Sequence, residues 1–232
     1  MPEGIGALAK GLALTFCAGL GATPATAADW SGEVGVVSDY RYRGVSLSNG
    51  QPAVQGSLSV EHDSGAHAEF WASSLTGSGS SRAEVDATAG YAFSLTEELS
   101  LDVSATYYAY PGAAGANALE LTGMLEASRG PLTASLGLSA APPQRGTRDE
   151  FGARKTNLYA FAGASYELAS LPVTLRTSLG YERGPWDMTE SAGKWDWSLG
   201  VEADFQAARI GVDIVGGDAG DESLVGTLIL AF

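Results

Sequence analysis

Leu224-Val225-Gly226-Thr227-Leu228-Ile229-Leu230-Ala231-Phe232 closes the chain, with apolar side chains at Leu224, Leu228, Leu230 and Phe232, all of one parity. Successive side chains of a strand point to opposite faces, so this spacing makes one apolar face and finishes it on an aromatic ring. That is the pattern of a strand crossing an outer membrane, where aromatics sit at the interface. A soluble sandwich can end in the same way. The decision therefore rests on whether the rest of the chain repeats the pattern.

It does. Period-2 alternation predicts twelve strands: 30–42, 53–61, 66–75, 83–93, 99–110, 118–128, 132–140, 157–167, 173–181, 194–205, 209–215 and 222–232. The fourth sets Val85, Ala87, Ala89, Tyr91 and Phe93 against Glu84, Asp86 and Thr88, and the tenth sets Trp195, Trp197, Leu199 and Val201 against Lys194, Asp196, Glu202 and Asp204. The first places Val34, Val36, Tyr40 and Tyr42 opposite Glu33, Asp39 and Arg41, and the eighth carries Tyr159 and Phe161 on its inner face. An even strand number suits a bacterial single-chain barrel.

The connections alternate short and long. Short ones fall at 62–65, 94–98, 129–130, 169–170 and 206–208, and longer ones at 43–51, 76–82, 111–117, 141–156, 183–193 and 216–221. Short periplasmic turns and longer external loops are what an outer-membrane barrel shows. Aromatics sort the same way. Tyr91, Phe93, Tyr166, Phe205 and Phe232 fall near the expected periplasmic ends, and Tyr40, Tyr42, Tyr181, Trp195 and Trp197 near the external ends, as two interfacial belts. The expected fold is all-β: a closed antiparallel up-and-down transmembrane barrel of about twelve strands.

Residues 1–28 read as a signal peptide: Lys10, an apolar run over Gly11–Leu20 and Ala25-Thr26-Ala27 before the cleavage point, which leaves a barrel domain over 29–232. Cys17, the only cysteine, lies in this leader, so the mature chain has no disulfide or thiolate site. Outside the leader no stretch approaches the ~20 apolar residues of a membrane-spanning helix. Losing Lys10 and Glu3 with the leader leaves 12 basic and 26 acidic side chains, so the net charge stays at −14. That balance excludes a nucleic-acid partner, which needs clustered Lys and Arg.

One segment is distinctive: Ser38-Asp39-Tyr40-Arg41-Tyr42-Arg43-Gly44-Val45-Ser46-Leu47-Ser48, followed by Gln51-Pro52-Ala53-Val54-Gln55-Gly56. It resembles the N-terminal signature of the TorF-type porin family of proteobacteria, the Gcw_chp conserved hypothetical proteins. The match covers roughly the first 45 residues of the mature chain. The resemblance implies an outer-membrane barrel with a channel role, and it brings no catalytic residues.

If the polar parity faces the lumen, the expected pore lining is Asp39, Arg41, Glu61, Glu69, Glu84, Asp86, Asp102, Glu120, Glu126, Arg176, Glu182, Lys194 and Glu202. Carboxylates dominate it, which favours cations over anions. Two readings of the interior stay open. Eight strands give a packed barrel and sixteen to eighteen an aqueous channel, so twelve fall between an open pore for small solutes and ions and a filled, non-conducting lumen. Asp39, Arg41 and Arg43 likewise either line a mouth or form a salt-bridge and turn cluster that anchors the first loop.

His62-Asp63-Ser64 holds a histidine and a serine at a spacing that suits nucleophilic catalysis, but it is an ordinary turn sequence at the periplasmic end, so no enzyme is expected. His62 and His67 fall on opposite faces and do not share a metal, and Asp218, Asp221 and Glu222 read as a solvated loop rather than a calcium site. No cofactor is expected. The expected partners are outer-membrane lipid and lipopolysaccharide, the latter through Arg145, Arg148, Arg154 and Lys155 in one external loop, and the assembly machinery through Phe232. The expected location is the outer membrane of a Gram-negative bacterium.

Overall fold

A computed structural model describes residues 28–76, 80–188 and 193–232. Residues 1–27 of the expected leader, with Cys17, lie outside the described residues, as do 77–79 and 189–192 of two long connections, while Ala28 already belongs to the first strand.

Twelve antiparallel strands close into one barrel. They are β1 (Ala28–Val37), β4 (Ala53–His62), β5 (Ala66–Ser74), β6 (Ala83–Ser94), β7 (Leu99–Ala109), β8 (Ala118–Arg129), β9 (Leu132–Ala141), β10 (Asn157–Glu167), β11 (Val173–Arg183), β12 (Lys194–Phe205), β13 (Ala208–Gly217) and β14 (Gly220–Ala231). Two further two-residue strands, β2 (Arg41–Tyr42) and β3 (Val45–Ser46), pair only with each other. Each barrel strand pairs with its chain neighbours. The seam is β1 against β14, from Glu33↔Ala231 to Val37↔Thr227. Phe232 continues it by exchanging two backbone hydrogen bonds with Gly32, both 2.9 Å. None of the twelve barrel strands leaves an open edge, which is the condition for strands to cross a bilayer.

The alternation read from sequence sets the two faces. Leu121, Leu136, Leu199 and Leu228 point out and are exposed, Leu136 by 61% and Leu199 by 57%. Glu84, Glu120, Glu182 and Lys194 point in and are at most 2% exposed. A water-soluble protein is arranged the other way, so the outside is built for hydrocarbon. Tyr91, Phe93, Phe205 and Phe232 stand exposed at the short-turn end, and Tyr181 packs against the exposed Trp195 at the other, 4.8 Å between ring centroids.

Three expectations are corrected. The first strand stops at Val37 and does not run to Tyr42, because Ser38 to Pro52 turn into the barrel. Tyr40 and Tyr42 therefore leave the outer aromatic belt: Tyr40 is 3% exposed and donates its hydroxyl to Glu84, and Tyr42 faces Tyr108. The expected last long loop at 216–221 is a tight turn over Asp218 and Ala219, since β13 and β14 stay paired to Gly217↔Gly220.

Candidate functional site: the charged interior and its inward hairpin

The loop after β1 is built by Asp39. Its carboxylate accepts from Ser46 Oγ at 2.5 Å, Arg41 Nε at 2.6 Å, Ser48 Oγ at 3.0 Å and the Gly50 amide at 3.2 Å. Burial by itself raises the pKa of a carboxyl, but the bonds from Ser46, Arg41 and Ser48 outweigh it and hold Asp39 below its usual range. The Asn49-Gly50 pair, both at positive φ, then returns the chain toward β4. Arg41 also donates to the carbonyls of Gly44 (3.0 Å) and Asp221 (3.1 Å), which ties the hairpin to the start of β14.

Between β2 and β3 the turn is Arg43-Gly44, with φ of 49° and 81°. A two-residue hairpin turn with both central residues left-handed normally takes Asn-Gly, because other side chains are strained there. Arginine at the first position is a departure. It places the Arg43 guanidinium inside the barrel, 3% exposed, where Nη1 donates to Glu182 at 2.5 Å and Nη2 to Glu120 at 2.7 Å. The Tyr159 ring lies 3.9 Å from the guanidinium carbon, with the rings of Tyr42 at 4.7 Å and Trp186 at 5.9 Å.

The wall holds these partners in place. Tyr108 donates to Glu120 at 2.9 Å, while Asn157 at 3.0 Å and Lys194 at 2.8 Å reach Glu182. Tyr159 donates to Asp196 at 3.0 Å. Trp186 is fixed by Nε1 to the Gly146 carbonyl at 2.8 Å and by its amide to Asn157 at 3.0 Å. On the other side Tyr40 and Tyr110 donate to the two oxygens of Glu84, at 2.9 and 2.8 Å, and Asp86 follows on the same strand face. A small apolar core of Val37, Tyr40, Ala53, Leu75 and Val225 seals the base of the hairpin, and Trp71 packs on Tyr40 with ring centroids 5.5 Å apart.

Toward the short-turn end the ionised groups pair along the wall. Arg176 forks to Glu202 and to Asp213, the latter at 2.9 and 2.6 Å, and Arg209 reaches Glu33. On the opposite wall His67 Nε2 meets Asp102 at 2.7 Å, with Glu61 across from His67 in register and Glu126 on β8. Glu69 accepts from Ser59 at 3.0 Å. His62 and Ser64 do meet, at 2.8 Å, but in an exposed turn whose amides they satisfy.

All thirteen side chains expected to line a pore thus lie on the inner face or in the loop folded into it, although nine of them (Asp39, Glu84, Asp86, Asp102, Glu120, Arg176, Glu182, Lys194 and Glu202) are buried in that packing. The structure brings Glu120, Glu182 and Lys194 together and keeps Arg176 with Glu202. Asp39 and Arg41 sit in a salt-bridge and turn cluster, whereas Arg43 leaves it for Glu120 and Glu182 on the inner wall. Sequence reasoning missed Tyr108, Asn157, Tyr159, Trp186 and Asp196 as a set around Arg43. The Arg43-Gly44 pair, a turn dipeptide between β-branched and aromatic residues, was the available signal.

A family model described as "Bacterial protein of unknown function (Gcw_chp)" matches residues 21–228. No curated protein matches the chain in sequence. Among solved structures, the barrel is similar to the KdgM porin, with a TM-score of 0.61 and 9% identity over 87% of this chain and 98% of that one. It is also similar to the NanC porin, at 0.57 and 12% over 88% and 98%. The COG4313 outer membrane channel from Pseudomonas putida F1 gives 0.54 and 13% over 94% and 100%. At these identities the likeness is one of fold.

Proposed function

We propose that this chain, which belongs to the Gcw_chp family, is a porin-like channel of the Gram-negative outer membrane through which small hydrophilic solutes diffuse. The observation that carries the reading is the inversion of the barrel: apolar outside, ionised inside, with no open strand edge. The fold shared with the KdgM and NanC porins supports it. A passage through this interior is cation-preferring, because Glu61, Glu69, Glu126 and their neighbours exceed the inward cations. The exposed aromatic of Phe232 is the residue the outer-membrane assembly machinery would read.

A second reading, a non-conducting barrel whose loops bind lipopolysaccharide, is favoured by the inward hairpin and by the loop after β9. There Arg145, Arg148, Arg154 and Lys155 are exposed beside Phe151, itself 85% exposed. Planar-bilayer recording of the refolded mature protein in a KCl gradient separates the two. Steady steps with a reversal potential on the cation side support the channel. A folded barrel without conductance or solute flux in liposomes rejects it.

A further inference from the structure

The surroundings of Arg43 are those of a bound ligand rather than of a side chain packed at random. Apart from Tyr42 on the hairpin itself, every group that holds the guanidinium comes from elsewhere: Glu120 on β8, Glu182 on β11, Tyr159 on β10 and Trp186 after β11. Each is fixed by a partner other than Arg43, namely Tyr108, Asn157 and Lys194, Asp196, and the Gly146 carbonyl. The box therefore keeps its shape without the hairpin.

Arg43 fills this box imperfectly. Its backbone sits at φ 49° to reach in, and two buried atoms, Arg43 Nε and Glu120 Oε1, have no hydrogen-bond partner among the described residues. A small guanidinium free of the chain can turn to satisfy both carboxylates while stacking on Tyr159. An ammonium also pairs with carboxylates and with a ring face, but as a compact point charge it has no planar fork to lie flat on Tyr159 while donating in the ring plane to both carboxylates.

We infer that Glu120, Glu182, Tyr159 and Trp186 form a binding site for guanidinium-bearing solutes, with Arg43 as its resident occupant. A solute of this class competes with Arg43, takes its place between the two carboxylates and releases the hairpin from the mouth of the barrel. The inference rests on the channel reading for its consequence, passage, but not for the binding itself.

The test is Arg43→Ala in the mature protein, recorded in planar bilayers with methylguanidinium chloride or methylammonium chloride at equal ionic strength. The steps before addition read the channel, and the response to the two cations reads the site. Methylguanidinium is expected to block the variant at a concentration about tenfold lower than methylammonium, and Glu120→Gln in the same background is expected to abolish that difference. Equal block by both cations, or by neither, overturns the site. If the variant is silent or folds poorly, thermal unfolding and refolding yield in detergent with each cation read the same site. A higher melting temperature or yield with methylguanidinium supports it, and no difference overturns it.

Discussion

The two ends of the barrel use the same kinds of charged residues in opposite ways. At the short-turn end the pairs run along the wall: Arg176 to Glu202 and Asp213, Arg209 to Glu33, His67 to Asp102, each joining strands that are adjacent or one apart. At the long-connection end Lys194 and Glu182 also pair on adjacent strands, but a second cation reaches Glu182 from the inserted hairpin. Arg43, carried in by the loop after β1, joins Glu120 on β8 to Glu182 on β11, and its neighbour Gly44 lies against Asp196 on β12 and Gly216 on β13. Pairs along a wall tie neighbouring strands together, whereas the pairs of Arg43 tie an inserted hairpin to the wall. The lesson is that inward charge by itself does not make a pore lining; the strand separation of each pair decides.

The contrast is sharpest in a pair of variants. Glu182→Ala strips Arg43 and Lys194 of a fully buried carboxylate, and Arg176→Ala leaves Glu202 and Asp213 facing each other, so each is expected to cost about 3–5 kcal/mol of stability, read by thermal unfolding in detergent. Their conductances are expected to part. Glu182→Ala loosens the hairpin and enlarges the steps, while Arg176→Ala leaves them close to wild type. Equal conductance changes would erase the distinction between the ends.

A smaller effect is expected at the turn. Gly44 has φ 81°, and a Cβ there would come within 3.1 Å of Asp196 Cβ, so Gly44→Ala costs about 1–3 kcal/mol and raises the frequency of large openings in single-channel records. Ser48→Ala, which removes bonds to Asp39 and to the Gln51 carbonyl, is expected to cost about 1 kcal/mol, read by the same unfolding measurement.

The smallest effect is that of acid. Asp39 is held below its ordinary value in the folded loop, so its contribution is complete above the unfolded carboxyl value of about 4 and is lost as pH falls through the lower folded one. Openings of the hairpin are expected to become more frequent only below about pH 4, and Asp39→Asn is expected to flatten that dependence. An acid response unchanged in Asp39→Asn would assign it to another group.

The barrel was legible because a strand with a lipid face and a wet face cannot hide its period: β10 and β12 were bounded in sequence as they are in the structure. The hairpin was not legible, because Tyr40 and Tyr42 continue the parity of Val34 and Val36 and so extend the strand on paper. What bends the chain is the Asp39 carboxylate collecting Ser46, Ser48 and Gly50, a contact pattern that no periodicity reports. The inward direction of Glu120, Glu182 and Lys194 followed from parity. Their meeting with Arg43 did not, since Arg43 and Glu182 are 139 positions apart and are joined by closure of the barrel. The tight turn at Asp218 and Ala219 was read as a longer loop because its flanking glycines resemble loop composition while still pairing as strand.

Single-channel conductance of the wild-type protein and Arg43→Ala, recorded side by side in the same bilayer and salt gradient, reads whether the inward hairpin restricts a passage through the barrel. Small cation-selective steps are expected in the wild type and steps several-fold larger, still cation-selective, in the variant. Two folded barrels that are both silent, or that conduct identically, would contradict that expectation.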